Sequence, residues 1–167
     1  MAVPVWAIGQ VLSAADVNNW FVPIVAVKPA DTGRSTTTAM TADPDLLLPV
    51  AANATYDISG CLFYTGPNTA SDLKFTYTLP ASASGQYFPC HQNISGIFTG
   101  SFAQQWTDTV TANTTGTSTA NLMVVFVKGI LLTSGTAGNI TLSWAQNTSN
   151  GTTTMRANSF LSAQRMG

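Results

Sequence analysis

The chain has one histidine, His91, which directly follows Cys90; with seven aspartates these are the side chains most able to do chemistry. A Ser-His-Asp relay would have to run through His91, because that mechanism needs a base titrating near neutrality. No nucleophile elbow, phosphate loop, dinucleotide fingerprint or H-E-x-x-H helix accompanies it, so His91 reads as a structural imidazole. Adjacent Cys90 and His91 lack the spacing of zinc ligands, and Cys61 would be only a third donor. Asp43 and Asp45 flank Pro44 and offer hard oxygens for calcium, together with Asp31 or Asp57. The same run reads better as a turn entering Leu46, Leu47 and Leu48. Glycoside hydrolysis requires two positioned carboxyl groups, and without any glutamate nothing sets one aspartate pair apart. Tyr64, Tyr87, Phe88 and Trp106 would form a sugar platform if exposed, although such aromatics more often serve a core or an interface. The chain therefore reads as a non-enzyme with no cofactor and no metal.

The elements available to carry these residues are strands. From residue 31 the apolar pattern has period two. Asp31 to Arg34 reads as a turn, Ser35 to Met40 as a Thr-rich extended segment, and Asp45 to Val50 as a short strand. Thr55 to Tyr64 puts Tyr56, Ile58, Leu62 and Tyr64 on one face, and Asp72 to Leu79 does the same with Leu73, Phe75, Tyr77 and Leu79. Gln86 to His91 and Ile94 to Phe102 follow as strands, then Asp108 to Thr119 as a hairpin-like stretch. Asn121 to Thr133 is the most hydrophobic stretch, long and β-branched, which predicts a central strand buried on both sides. Asn139 to Gln146 and Thr152 to Ala163 complete about eight strands with turn residues between them. The predicted class is all-β, an antiparallel sandwich.

Charge is scarce. Only 8% of residues are charged, against about 25% in an ordinary soluble domain. Glu and Lys solubilise exposed helices, so the lack of Glu and the presence of only three Lys argue against a helical protein. Thr, Ser, Asn and Gly carry the polarity instead, as they do on strand outer faces and in turns. Two explanations fit: a neutral polar surface, or a surface covered by neighbouring subunits, whose interface cores are depleted in charge. The six basic residues are scattered and the net charge is −1, which does not suit a nucleic-acid partner. No run approaches the 18 or so apolar residues of a membrane span, and no charged region opens a secretion signal. A soluble protein made in a cytoplasm is the expectation. Cys61 and Cys90 leave a bridge geometrically open, with Cys61 read as a small buried hydrophobe.

Residues 1–30 differ from the rest. An apolar, Pro- and Gly-broken start leads to Ser13, whose hydroxyl can accept from the Asp16 amide while Asp16 serves the first turn. The predicted helix runs through Trp20 and Phe21 and stops before Pro23. Two turns cannot stand alone, so the apolar side chains here must bury against this domain or a neighbour. The domain reading is an attachment arm over 1–30 and a β-sandwich over 31–167. Trp6, Val11, Leu12, Trp20 and Phe21 are the expected partner-binding residues.

The stretch from Gly9 through Val11, Leu12 and Asp16 to Asn18, following Trp6, resembles the N-terminal motif of many phage tail, fibre and minor virion proteins. Ala42 to Tyr56, Asp72 to Phe75, Leu142 to Gln146 and Arg156 to Leu161 are similar to small virion proteins of phages that infect actinobacteria. The resemblance covers most of the chain. It implies a jelly-roll-like fold, often trimeric, in a head decoration, head fibre or minor tail protein. Low charge joined to an apolar arm favours a capsid decoration protein whose homotrimer binds the major capsid protein or other virion components at the particle surface. The alternative is a minor tail or tail-fibre protein that contacts the host surface and binds a glycan there.

Overall fold

Alternating side chains become strands along most of the chain, and the computed structural model describes residues 6–66, 73–92, 98–100, 103–112 and 122–167. One helix, α1 (Ala14–Trp20), precedes β1 (Ile24–Val27), β2 (Thr32–Ser35), β3 (Thr41–Val50), β4 (Thr55–Thr65), β5 (Leu73–Thr78) and β6 (Ser84–Gln92). Then come β7 (Phe98–Gly100), β8 (Gln104–Gln105), β9 (Val110–Ala112), β10 (Met123–Leu132), β11 (Gly138–Gln146), β12 (Thr152–Met155) and β13 (Phe160–Arg165). The larger sheet runs β1-β13-β4-β10-β6-β7, with β12, β2 and β8 attached beside that path; the smaller runs β3-β11-β5-β9. Every pairing is antiparallel. The chain passes back and forth between the sheets: β3 lies in the smaller, β4 in the larger, β5 in the smaller, β6 in the larger, β9 in the smaller, β10 in the larger and β11 in the smaller. Each therefore pairs with strands distant in sequence, the winding of a jelly-roll-like sandwich.

The faces follow the sequence pattern. Tyr56, Ile58, Leu62 and Tyr64 of β4 point inward with Leu46 and Leu48 of β3, Phe75 of β5 and Leu142 and Trp144 of β11, all buried. Each such side chain taken from water contributes roughly 1.5–3 kcal/mol, so the layer between the sheets is what holds them together. At one end Tyr87 stacks on Trp106 with ring centroids 4.6 Å apart, and the Trp106 indole donates to the Ile130 carbonyl oxygen at 2.8 Å.

Several expectations are corrected. Residues 32–35 form β2 rather than a turn, because β12 is available to pair with them. Strand β3 begins at Thr41 and carries both Pro44 and Pro49; it tolerates them as an edge strand with a free side. The final strand is broken in two by a turn at Arg156–Ser159, where Asn158 takes a left-handed φ of 68° and its amide donates to the Lys28 carbonyl. The most apolar stretch, β10, does lie centrally between β4 and β6, but only one of its faces is buried. Val125, Val127 and Leu131 point into the core, whereas Phe126, Ile130 and Leu132 point out, because the second sheet covers only one side. The readings that fall on Asp72, on 94–97 and 101–102, and on 113–121 lie outside the described residues.

The ends of β1 and β3 meet at a buried charge cluster. Lys28 Nζ lies 3.0 Å from both carboxylate oxygens of Asp43 and 2.8 Å from Asp45 Oδ2. The Trp144 indole donates to Asp43 Oδ2 at 2.9 Å. The Arg34 guanidinium stacks 4.0 Å over the Trp144 ring and donates to the carbonyl oxygens of Trp144, Thr41 and Ala42. Lys28 and Arg34 belong to the larger-sheet side and Asp43 and Trp144 to the smaller sheet, so this cluster ties one layer to the other.

Candidate functional site

The arm is built as its sequence directs. The Asp16 amide donates to Ser13 Oγ at 3.1 Å, and the Ser13 amide returns to Asp16 Oδ2 at 3.0 Å, a reciprocal cap that satisfies two helix-end donors. The Ser13 hydroxyl also donates to Asp16, and these bonds hold the Asp16 carboxyl below the usual range. The helix ends at Phe21, whose amide reaches the Val17 carbonyl.

The five expected partner-binding residues do not behave alike. Trp20 is drawn onto the sandwich: the Arg165 guanidinium sits 4.7 Å over its ring, and Gln164 Nε2 donates to its carbonyl oxygen at 2.8 Å. Trp6 is half-buried. Val11 is 88% exposed and Phe21 58%, and Leu12 is also exposed. Ile8 and Val22, which the sequence reading did not single out, stand exposed beside them. The part of the arm that stands off the sheets ends before residue 24, because β1 pairs along β13 from Ile24 opposite Ala163 to Val27 opposite Phe160.

The chemical candidates are occupied in other ways. His91 is buried and points inward, while its neighbour Cys90 points outward, since adjacent strand residues face opposite sides. They cannot act on one substrate atom. Among the carboxylates considered for calcium, Asp43 and Asp45 hold Lys28, Asp57 pairs with Lys128 at 2.6 Å, and Asp31 pairs with Arg156 at 2.9 Å. Among the described residues no three His, Cys, Asp or Glu side chains come together as a metal site. The sugar platform is overturned: Tyr64, Tyr87 and Trp106 are buried in the core, and of the four aromatics only Phe88 is exposed. Cys61 and Cys90 are both free and half-exposed rather than fully buried. Both are in register with Phe126 from opposite sides, so a whole strand separates them. Two strand spacings amount to roughly 9.6 Å, beyond the reach of a disulfide.

The sequence reading missed a second apolar surface, the outer face of the larger sheet. One register row crosses five strands as Val27, Phe160, Cys61, Phe126 and Cys90. Its signal is the two-sided hydrophobicity of β10, which by sequence pattern alone looks the same as burial inside the domain. The outer face of the smaller sheet differs in kind, presenting Thr76, Thr78, Thr111, Thr141 and Ser143.

No family model and no curated protein matches this chain. Among solved structures, the fold is similar to Eiger TNF from S. frugiperda, with a TM-score of 0.39 and 9% identity over 87% of this chain and 93% of that one. It is also similar to the tripod (BppUct-A-L) from the baseplate of bacteriophage Tuc2009, with a TM-score of 0.36 and 7% identity over 99% of this chain and 75% of that one. A third likeness is to the T13 particle of IBDV, with a TM-score of 0.26 and 12% identity over 84% of this chain and 36% of that one.

Proposed function

We propose that this chain is a structural protein of a tailed-phage particle, and specifically a capsid decoration protein that works as a homotrimer on the shell. The observation that carries the reading is the arm. It is a short, well-capped helix pinned to the sandwich at its C-terminal end through Trp20, with Val11, Leu12 and Phe21 left facing solvent. Fully burying three such side chains against a partner contributes up to about 4–9 kcal/mol before the cost of ordering the arm. The arm's side chains would be covered by the major capsid protein or another virion component, and cementing then consists of added contact across capsomer boundaries. The sequence resemblance of residues 9–18 to phage virion N-termini supports the same assignment.

The test is binding of the full chain to particles that lack it. A Val11→Asp/Phe21→Asp double variant should keep the wild-type melting temperature and lose at least ten-fold in particle affinity, while full retention of affinity would remove the arm from the reading. Copy number per virion separates shell from tail, with hundreds expected for decoration and a handful for a tail or fibre protein.

A further inference from the structure

The outer face of the larger sheet carries an apolar row from edge to edge, Val27, Phe160, Cys61, Phe126 and Cys90, beside a row in which Ser162, Ser59 and Lys128 lie between Val25 and Phe88. Val25, Val27, Phe88, Phe126, Ile130 and Leu132 stand 39–53% exposed there. Half-buried Phe160, Cys61 and Cys90 fill the gaps between them. The outer face of the smaller sheet is more polar, with Thr76, Thr78, Thr111, Thr141, Ser143, Lys74 and Asn139 beside Leu47 and Pro49. An apolar row that spans five strands, with further exposed apolar side chains around it, marks an interaction site.

We propose that this face is where copies of this chain pack against one another. Three observations favour a second copy over another occupant. The first is size: β1, β13, β4, β10 and β6, with 4, 6, 11, 10 and 9 residues at about 3.3 Å per residue and about 4.8 Å spacing, cover roughly 600 Å², the lower end of what each partner contributes to a standard stable interface. The second is charge. The only ion pair described on the face, Lys128 with Asp57, is closed within the molecule at 2.6 Å. The face thus offers no net charge for a complementary partner to offset, and a copy of itself meets no like-charge repulsion. The third is the sequence of β10, apolar on both sides as a strand covered on both sides would be, in a chain whose 8% charged content already suits a surface covered by its own kind. The inference rests on the decoration-protein reading only in placing a contact between copies of the chain, and it stands or falls on self-association alone.

The two cysteines make the face directly readable. Cys61 and Cys90 flank Phe126 on the same row, so association that covers Phe126 covers both thiols. The experiment compares full-length wild type, Phe126→Asp and a Thr78→Asp control on the opposite sheet by native mass spectrometry and by reaction with a thiol-specific disulfide reagent. The expected result is an oligomeric wild type and an oligomeric Thr78→Asp, both with slowly reacting thiols. Phe126→Asp is expected to be a folded monomer whose two thiols react at least ten-fold faster. Should Phe126→Asp fail to fold by circular dichroism, Phe88→Asp, which is paired to Lys128 on the same face, serves with the same readouts. A monomeric wild type overturns the proposal, as does a Phe126→Asp that keeps the wild-type mass and thiol protection. If wild type is monomeric and Phe126→Asp instead abolishes particle binding, the shell covers this face and the second copy does not. In contrast, an oligomer that dissociates on Phe126→Asp while particle binding fails even for wild type would uphold this interface and sink the decoration reading.

Discussion

Lys28 and Asp43 form a two-point ion pair, 3.0 Å from the ammonium to each carboxylate oxygen, and neither side chain reaches solvent. In a chain with so few charges, this pair sits between the layers rather than on the surface. Replacing Asp43 leaves Lys28 buried with only the partly exposed Asp45 as its counter-charge. Asp43→Asn should therefore destabilise the fold by about 3–5 kcal/mol, read as a lower denaturant midpoint at unchanged slope. A loss below about 1 kcal/mol would mean that the cluster is solvated in practice.

The same carboxyl sets an acid limit. Burial by itself would raise its pKa, but hydrogen bonds from the Trp144 indole, the Asp45 amide and Lys28, together with the Lys28 charge, outweigh burial and hold it below the ordinary value. A depressed folded pKa means that the unfolded chain takes up the proton first. The stabilisation is thus present above the unfolded carboxyl pKa near 4 and is lost as pH falls through the lower folded value. Thermal melts from pH 7 to pH 2 should show wild type falling toward Asp43→Asn in acid. Parallel curves at all pH values would contradict the assignment.

Gly129 of β10 lies opposite Tyr87 of β6. A Cβ there would lie 2.5 Å from the Gln86 carbonyl oxygen and from Tyr87 Cβ, and the β6 backbone cannot yield cheaply. Gly129→Ala should cost about 1–3 kcal/mol and disturb the Tyr87–Trp106 stack. Near-ultraviolet circular dichroism, which reports on packed aromatic rings, should change along with the melting temperature.

Trp20 is the pin of the arm. With Trp20→Ala the cation–π contact to Arg165 disappears, a loss of about 1 kcal/mol or less for the whole domain. Locally the effect should be larger: amides of residues 14–20 exchange hydrogen several-fold faster while those of β4 and β10 are unchanged. Uniform acceleration across the sheets would show that the arm belongs to the core.

Intact mass after alkylation without a reductant should reveal two modified thiols per chain once the protein is unfolded. The intervening β10 keeps Cys61 and Cys90 apart, so a population that resists alkylation until reduced would be incompatible with the strand order.

By itself the sequence determined whatever depends on neighbours along the chain. The Ser13–Asp16 cap, the inward set Tyr56, Ile58, Leu62 and Tyr64, and the all-β class are all readable because caps and strand periodicity act over two to four residues. Tertiary structure alone decided which strands pair, because antiparallel partners such as β4 and β13 lie far apart in sequence and nothing local encodes their register. It also decided that Lys28 is buried: a lysine in an exposed-looking stretch becomes a core residue only when Asp43 and Asp45 arrive from another layer. The same holds for β10. Its residues announce two covered faces, but local pattern cannot say which cover comes from the chain's own second sheet and which side the fold leaves open.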